Sequence, residues 1–170
     1  MKKAKKLRGF TILELMLYVV ITSAVAFTFV AFLQTILESR VKNQTVAEVE
    51  QVGLQIIQLV NQTIRNATAI TAPAPGASGA SLTLTVPIGA NSPTVFDLVS
   101  GVMRIKEGAA ANINLSSSRV AVSALTFQNL TRAGTPGSVK YQFTITHNNP
   151  TGKNEYNFSK TFYASASLRD

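Results

Sequence analysis

Glu14 is the residue of this chain with the most chemistry to account for. It stands alone in Phe10–Leu33, 24 residues with no other charge. A helix needs about 20 apolar residues to cross a hydrocarbon core about 30 Å thick, so this span is long enough to cross. A carboxylate at that depth costs about 2.5–3.5 kcal/mol on insertion scales, so an acid there asks for a partner and a task. Just upstream runs Met1-Lys2-Lys3-Ala4-Lys5-Lys6-Leu7-Arg8-Gly9, a basic leader ending in glycine, and Phe10 follows.

Elsewhere the chemistry-bearing residues are sparse. His147 is the only histidine and borders a loop, which reads as a turn residue. Beyond residue 50 the acids are Asp97, Glu107, Glu155 and Asp170, isolated from one another and without the spacing of an EF-hand or His-Glu-x-x-His site. A calcium ion wants six to eight oxygens, which these do not gather in sequence. There is no cysteine, hence no disulfide, thiolate zinc site or cysteine nucleophile. Glycine-rich phosphate loops are missing too. No catalytic residue, metal ligand or cofactor is therefore assigned, and the chain is read as a non-enzyme. Asn43, Asn61, Asn66, Asn114, Asn129 and Asn157 each open an Asn-x-Ser/Thr triplet. In a chain rich in Asn, Ser and Thr these read as ordinary polar surface.

The formal charge of +8 invites a nucleic-acid partner, but five of the sixteen bases precede Gly9. Without them eleven bases face eight acids, a net of +3 with the bases scattered. Basic residues flanking an apolar span mark the cytoplasmic side of a membrane helix. Tyr141, Phe143, Tyr156, Phe158, Phe162 and Tyr163 form no stacking platform for single strands, because they alternate with small polar residues and few bases beyond Lys140 and Lys160 interleave with them. They read as core, and nucleic acid is not expected as a direct partner.

The elements that carry these residues follow from the hydrophobic period. From Gln34 to about Ala69 there is no proline, and Leu37, Val41, Val49, Val52, Ile56, Val60 and Ile64 recur at helical steps, with Thr45 also on the stripe. Gly53 weakens that helix by roughly 1 kcal/mol relative to alanine. Glu38, Arg40, Lys42, Glu48, Glu50 and Arg65 read as its solvated face, with salt bridges between subunits as the alternative. Phe10 to Ala69 would make about 90 Å of helix.

A Pro/Gly/Ala-rich linker spans 71–80, and the period then changes to two. Leu82, Leu84, Val86 and Ile88 alternate with polar residues. Ser100-Gly101 predicts a hairpin with Phe96 opposite Ile105, Asp97 opposite Arg104 and Leu98 opposite Met103. The parity of Arg119–Thr131 slips between Val122 and Leu125, which predicts a bulge. Val139–Thr146 and the stretch through Tyr156, Phe158 and Phe162 predict a second hairpin. The expected fold is α+β: a long N-terminal helix, membrane-spanning in its first half and amphipathic in its second, on a head of four to six antiparallel strands. The expected parts are a leader (1–9), a membrane half-helix (10–33), an amphipathic half-helix (34–70), the linker (71–80) and the head (81–170).

Three readings of the N-terminus compete. A secretory signal would use Ala24-Val25-Ala26 as its cut site, but Glu14 interrupts it early and the apolar run continues through Leu33. A plain single-pass anchor fits in length and polarity, yet leaves Glu14 and Gly9-Phe10 without a role. The third uses every feature. Gly9-Phe10-Thr11-Ile12-Leu13-Glu14-Leu15 closely resembles the processing site of type IV prepilins and type II secretion pseudopilins.

The resemblance implies cleavage between Gly9 and Phe10 by a prepilin peptidase, which also methylates the new amine of Phe10. It implies that Glu14 pairs with the N-terminal amine of a neighbouring subunit, neutralising both charges in an apolar core. Its other implied partners are pilin or pseudopilin subunits and membrane lipid. The implied place is the inner membrane, N-terminus in the cytoplasm and head outside, and later an extracellular or periplasmic filament. The sharp match covers Lys2–Leu33. The hairpin at Phe96–Lys106 and the ending Ala164–Asp170 are weakly similar to J-type pseudopilins and W-type minor pilins. Many major pilins carry a proline in the membrane half of the helix and a cysteine pair near the C-terminus. This chain has neither, which points toward a minor subunit. The alternative is a membrane-anchored or secreted β-domain that binds a ligand and never polymerises.

Overall fold

A computed structural model describes Gly9 and residues 11–169. One helix, α1 (Ile12–Asn66), runs for 55 residues and carries the chain from one compact unit, ending at Arg40, into a second that begins at Val41.

In the first unit α1 is apolar and bare. Apart from half-buried Ile36, its large apolar side chains from Ile12 to Leu37 are 42–80 % exposed. The hydroxyls among them turn back on the helix: Thr22 donates to the Tyr18 carbonyl (2.7 Å), Ser23 to Val20 (2.9 Å), Thr28 to Val25 (2.8 Å) and Thr35 to Ala31 (3.2 Å).

In the second unit the helix acquires one buried stripe, Thr45, Val49, Gly53, Ile56, Val60 and Ile64. These steps of three and four put the six on one face. Gly53, rather than Val52, supplies the stripe's middle position, and Leu37 lies outside it, 60 % exposed. The reason is contact: a Cβ on Gly53 would lie 2.2 Å from Cζ of Phe162, so the ring needs a residue without one. The Thr45 hydroxyl, buried on the stripe, donates to the Val41 carbonyl at 3.0 Å.

Two antiparallel sheets share this face, where a single sheet of four to six strands was expected. The first holds β1 (Ala69–Ala72), β3 (Leu82–Thr85), β4 (Thr94–Val99), β5 (Val102–Glu107) and β6 (Ile113–Asn114), in the order β1-β3-β4-β5-β6. The second holds β2 (Ser78–Gly79), β7 (Val120–Asn129), β8 (Ser138–His147) and β9 (Ser159–Ser167), in the order β2-β7-β8-β9. The helix ends at Asn66 rather than Ala69, because Ala69 already pairs with Thr85 in β1–β3.

The Pro/Gly/Ala segment is no free connector. Its ends are β1 and β2, one in each sheet, and buried Asn129 holds its middle. The Asn129 side-chain amide donates to the Pro73 carbonyl (2.8 Å), Gly76 N–H donates to the Asn129 carbonyl (2.8 Å), and Asn129 N–H to that of Ala77 (3.0 Å). Loop composition does not free backbone groups from needing partners once they are covered.

The main hairpins match the sequence. β4 and β5 pair Phe96 with Ile105, Asp97 with Arg104 and Leu98 with Met103. Ser100 (φ 51°) and Gly101 (φ 77°) are both left-handed, as a two-residue turn of the primed kind requires. The register of β7 on β8 shifts between Ser123 and Thr126, with Ala124 at φ 51°, which returns Leu125 and Phe127 to the core. β8 and β9 pair Phe143 with Phe162 without interruption. Phe127, Tyr141, Phe143 and Phe162 form a row of rings 5.4–6.4 Å apart beneath the helix. Tyr163 departs from the expected aromatic core and is 66 % exposed.

Candidate functional site

The N-terminal site begins with a helix cap. Thr11 precedes α1, its Oγ1 accepts the Glu14 N–H at 3.2 Å, and its carbonyl accepts the Leu15 N–H at 3.1 Å. This is half of a capping box, and Thr11-x-x-Glu14 has the spacing for the whole of it. Glu14 thus sits in the first turn, where a carboxylate faces the positive end of the helix dipole. The signal for this cap is in the sequence, as the Thr11-x-x-Glu14 spacing itself. Glu14 is partly exposed, and Gly9 is exposed, with no atom of the described residues beyond its chain neighbours within 4 Å of where a Cβ would stand. Phe10, to which cleavage and methylation were assigned, lies outside the described residues, as does the basic leader. Behind the cap, α1 is long and apolar enough to cross a membrane, and its most apolar stretch buries nothing.

The second unit uses its charges as fasteners. Of the helix charges expected on a solvated face, Glu48, Glu50 and Lys42 reach across to the second sheet and its loops. Lys160 Nζ lies 2.6 Å from Glu50 Oε1. Lys42 Nζ donates to the Asn154 carbonyl at 3.2 Å. Arg119 Nη1 and His147 Nε2 both approach Glu48 Oε2, at 3.4 and 3.6 Å.

His147 is therefore more than a turn residue. It closes β8 with its side chain 10 % exposed and its ring stacked on Tyr156, centroids 5.7 Å apart. Its Nδ1 is buried without a hydrogen-bond partner among the described residues. A cleft of about 170 Å³ lies beside the cluster, lined by Val41, Gln44, Thr45, Glu48, Arg119, His147 and Tyr156. Sequence offered no signal for the grouping, because Glu48 and His147 meet only through packing. The geometry of the set secures the helix to the sheet. Among the described residues, no three His, Asp or Glu side chains converge to hold a metal.

Of the asparagines read as polar surface, Asn129 is buried and half-buried Asn61 is engaged by a core side chain. Asn129 is 1 % exposed, and its side-chain oxygen accepts the Thr131 N–H at 3.0 Å. Asn61 accepts the Tyr141 hydroxyl at 2.9 Å, and burial pushes that phenol's pKa up. On the other sheet Arg104 binds both oxygens of Asp97, at 2.9 and 2.6 Å, and the hydrogen bond raises the guanidinium pKa.

No family model, curated protein or solved structure matches the chain significantly.

Proposed function

We propose that the chain is a membrane-stored structural subunit, a minor pilin or pseudopilin, of a type IV pilus-like or type II secretion filament. The observation that carries the reading is the order basic leader, Gly9, Phe10, Thr11, Glu14, set directly at the start of a bare apolar helix. A prepilin peptidase cuts after Gly9 on the cytoplasmic side and methylates Phe10. The membrane holds the apolar part of α1 while the β-rich part stands outside. On assembly, Glu14 of one subunit receives the Phe10 ammonium of the next, because an unpaired charge in an apolar filament core is far costlier than a pair.

Mass spectrometry of the N-terminus of protein taken from native membranes tests this. An N-methylated Phe10 is the expected result, and a retained Met1 refutes it. The second reading is a β-domain anchored by one uncleaved helix that never polymerises. One observation favours it: the Thr11 cap gives Glu14 a place at its own helix N-terminus without a neighbouring subunit. A mature chain starting at Phe27 would instead identify a secreted domain.

A further inference from the structure

The second sheet ends on an edge that nothing guards among the described residues. β9 is nine residues long, and no strand of the described chain pairs with its outer side. The other terminal strands are short: β2 and β6 have two residues each, and β1 has four with an irregular register.

The direction of the β9 backbone follows from two bonds at its ends. Leu168 N–H donates to the Gly137 carbonyl (2.7 Å) and His147 N–H to the Phe158 carbonyl (3.0 Å). In an antiparallel pair hydrogen-bonded and open positions alternate. The even-numbered residues of β9 therefore bond to β8. Ser159, Thr161, Tyr163, Ser165 and Ser167 turn their N–H and C=O groups outward.

Proteins normally blunt such an edge with a charge, a proline or a bulge. β9 has no proline, and its pairing to β8 runs unbroken from Ser159 to Ser167. Its one charge, Lys160, is held by Glu50 on the helix.

We infer that β9 is an interaction edge, and that its occupant is the β9 of a second copy, antiparallel and centred on Tyr163. The sequence is self-complementary in that register. Tyr163 meets Tyr163, Thr161 meets Ser165, and Ser159 meets Ser167: an aromatic pair flanked by hydroxyl pairs, the kinds that stabilise neighbouring strands. Lys160 falls opposite Ala166, so no like charges face one another. The pairing covers the exposed Tyr163 ring and joins two four-stranded sheets into one continuous sheet. This inference does not depend on the filament reading.

The chain has no cysteine, which makes the register directly readable. Opposite residues at hydrogen-bonded antiparallel positions have Cα atoms about 5.5 Å apart, inside the disulfide range of about 4.4–6.8 Å. In the full chain in detergent, Tyr163→Cys should oxidise to a covalent dimer many-fold faster than Ser165→Cys, whose symmetry mates lie about 14 Å apart along the strand. Sedimentation of the cysteine-free chain should show a concentration-dependent dimer. Tyr163→Lys, which sets two ammonium groups face to face, should make it monomeric with an unchanged circular dichroism spectrum. Equal cross-linking of the two cysteine variants, a wild-type monomer, or a dimer that survives Tyr163→Lys would each overturn the inference.

Discussion

Gly53→Ala puts two general rules in opposition at one site. Helix propensity alone predicts a gain of about 1 kcal/mol, since glycine is that much worse than alanine in a helix interior. The packing predicts a loss. The new Cβ would lie 2.2 Å from Phe162 Cζ and 2.5 Å from both Cε atoms, so the ring must retreat by more than 1 Å. That ring is 7 % exposed and stacked on Phe143 at 5.4 Å, which leaves it little room. Inserting a methyl group into such a core costs about 1–3 kcal/mol. The losses outweigh the gain, and the net expectation is a destabilisation of up to about 2 kcal/mol. The decisive assay is a double-mutant cycle by urea unfolding of the full chain in mild detergent. Phe162→Leu removes the three ring atoms that Cβ would meet. In that background Gly53→Ala should change sign and stabilise by up to about 1 kcal/mol, giving a coupling of roughly 1–3 kcal/mol. A Gly53→Ala variant that stabilises both backgrounds equally would refute the packing argument and return Gly53 to a mere weak point.

Asn129→Ala should cost about 1–3 kcal/mol, because it strands the covered Pro73 carbonyl, and hydrogen exchange at Gly76 should accelerate with it. Tyr141→Phe should lower the urea midpoint by the equivalent of about 0.5–1.5 kcal/mol through loss of the bond to Asn61. The same variant should flatten the alkaline stability profile. The folded phenol holds its proton above the ordinary pKa of about 10, so its contribution is complete below that pH and is lost as pH rises toward the folded value. Identical profiles for Tyr141→Phe and wild type above pH about 10 would refute it. Glu14→Ala should leave N-terminal processing normal but abolish incorporation into filaments, read by shearing filaments from cells and probing for the subunit. Wild-type incorporation would show that the acid serves only its own helix end.

What could be read from sequence was what local period encodes. The β4–β5 register followed from Ser100-Gly101 and the matched pairs around it, and the β7 bulge from one break of parity. The helix was legible from spacing alone. Strands of two residues, such as β2 and β6, carry no period, so spacing shows neither them nor the division of the strands into two sheets, and the segment holding β2 and the end of β1 reads as a linker. Gly53 looked like a flaw because its reason for being glycine, the Phe162 ring, is 109 residues away in the chain. Glu48, Arg119 and His147 meet for the same kind of reason. Side chains that belong to no pattern of their own are placed by packing, and sequence spacing says nothing about them.

The back-turned hydroxyls of Thr22, Ser23, Thr28 and Thr35 have a thermodynamic consequence. Each carries its acceptor with it, three or four residues away on its own helix. Moving a hydroxyl between two media usually means breaking bonds in one and remaking them in the other. Here the bonds travel with the segment, so these four hydroxyls cast almost no vote on its transfer from one surrounding to another, which is left to the fit of its aliphatic and aromatic flanks and to Glu14.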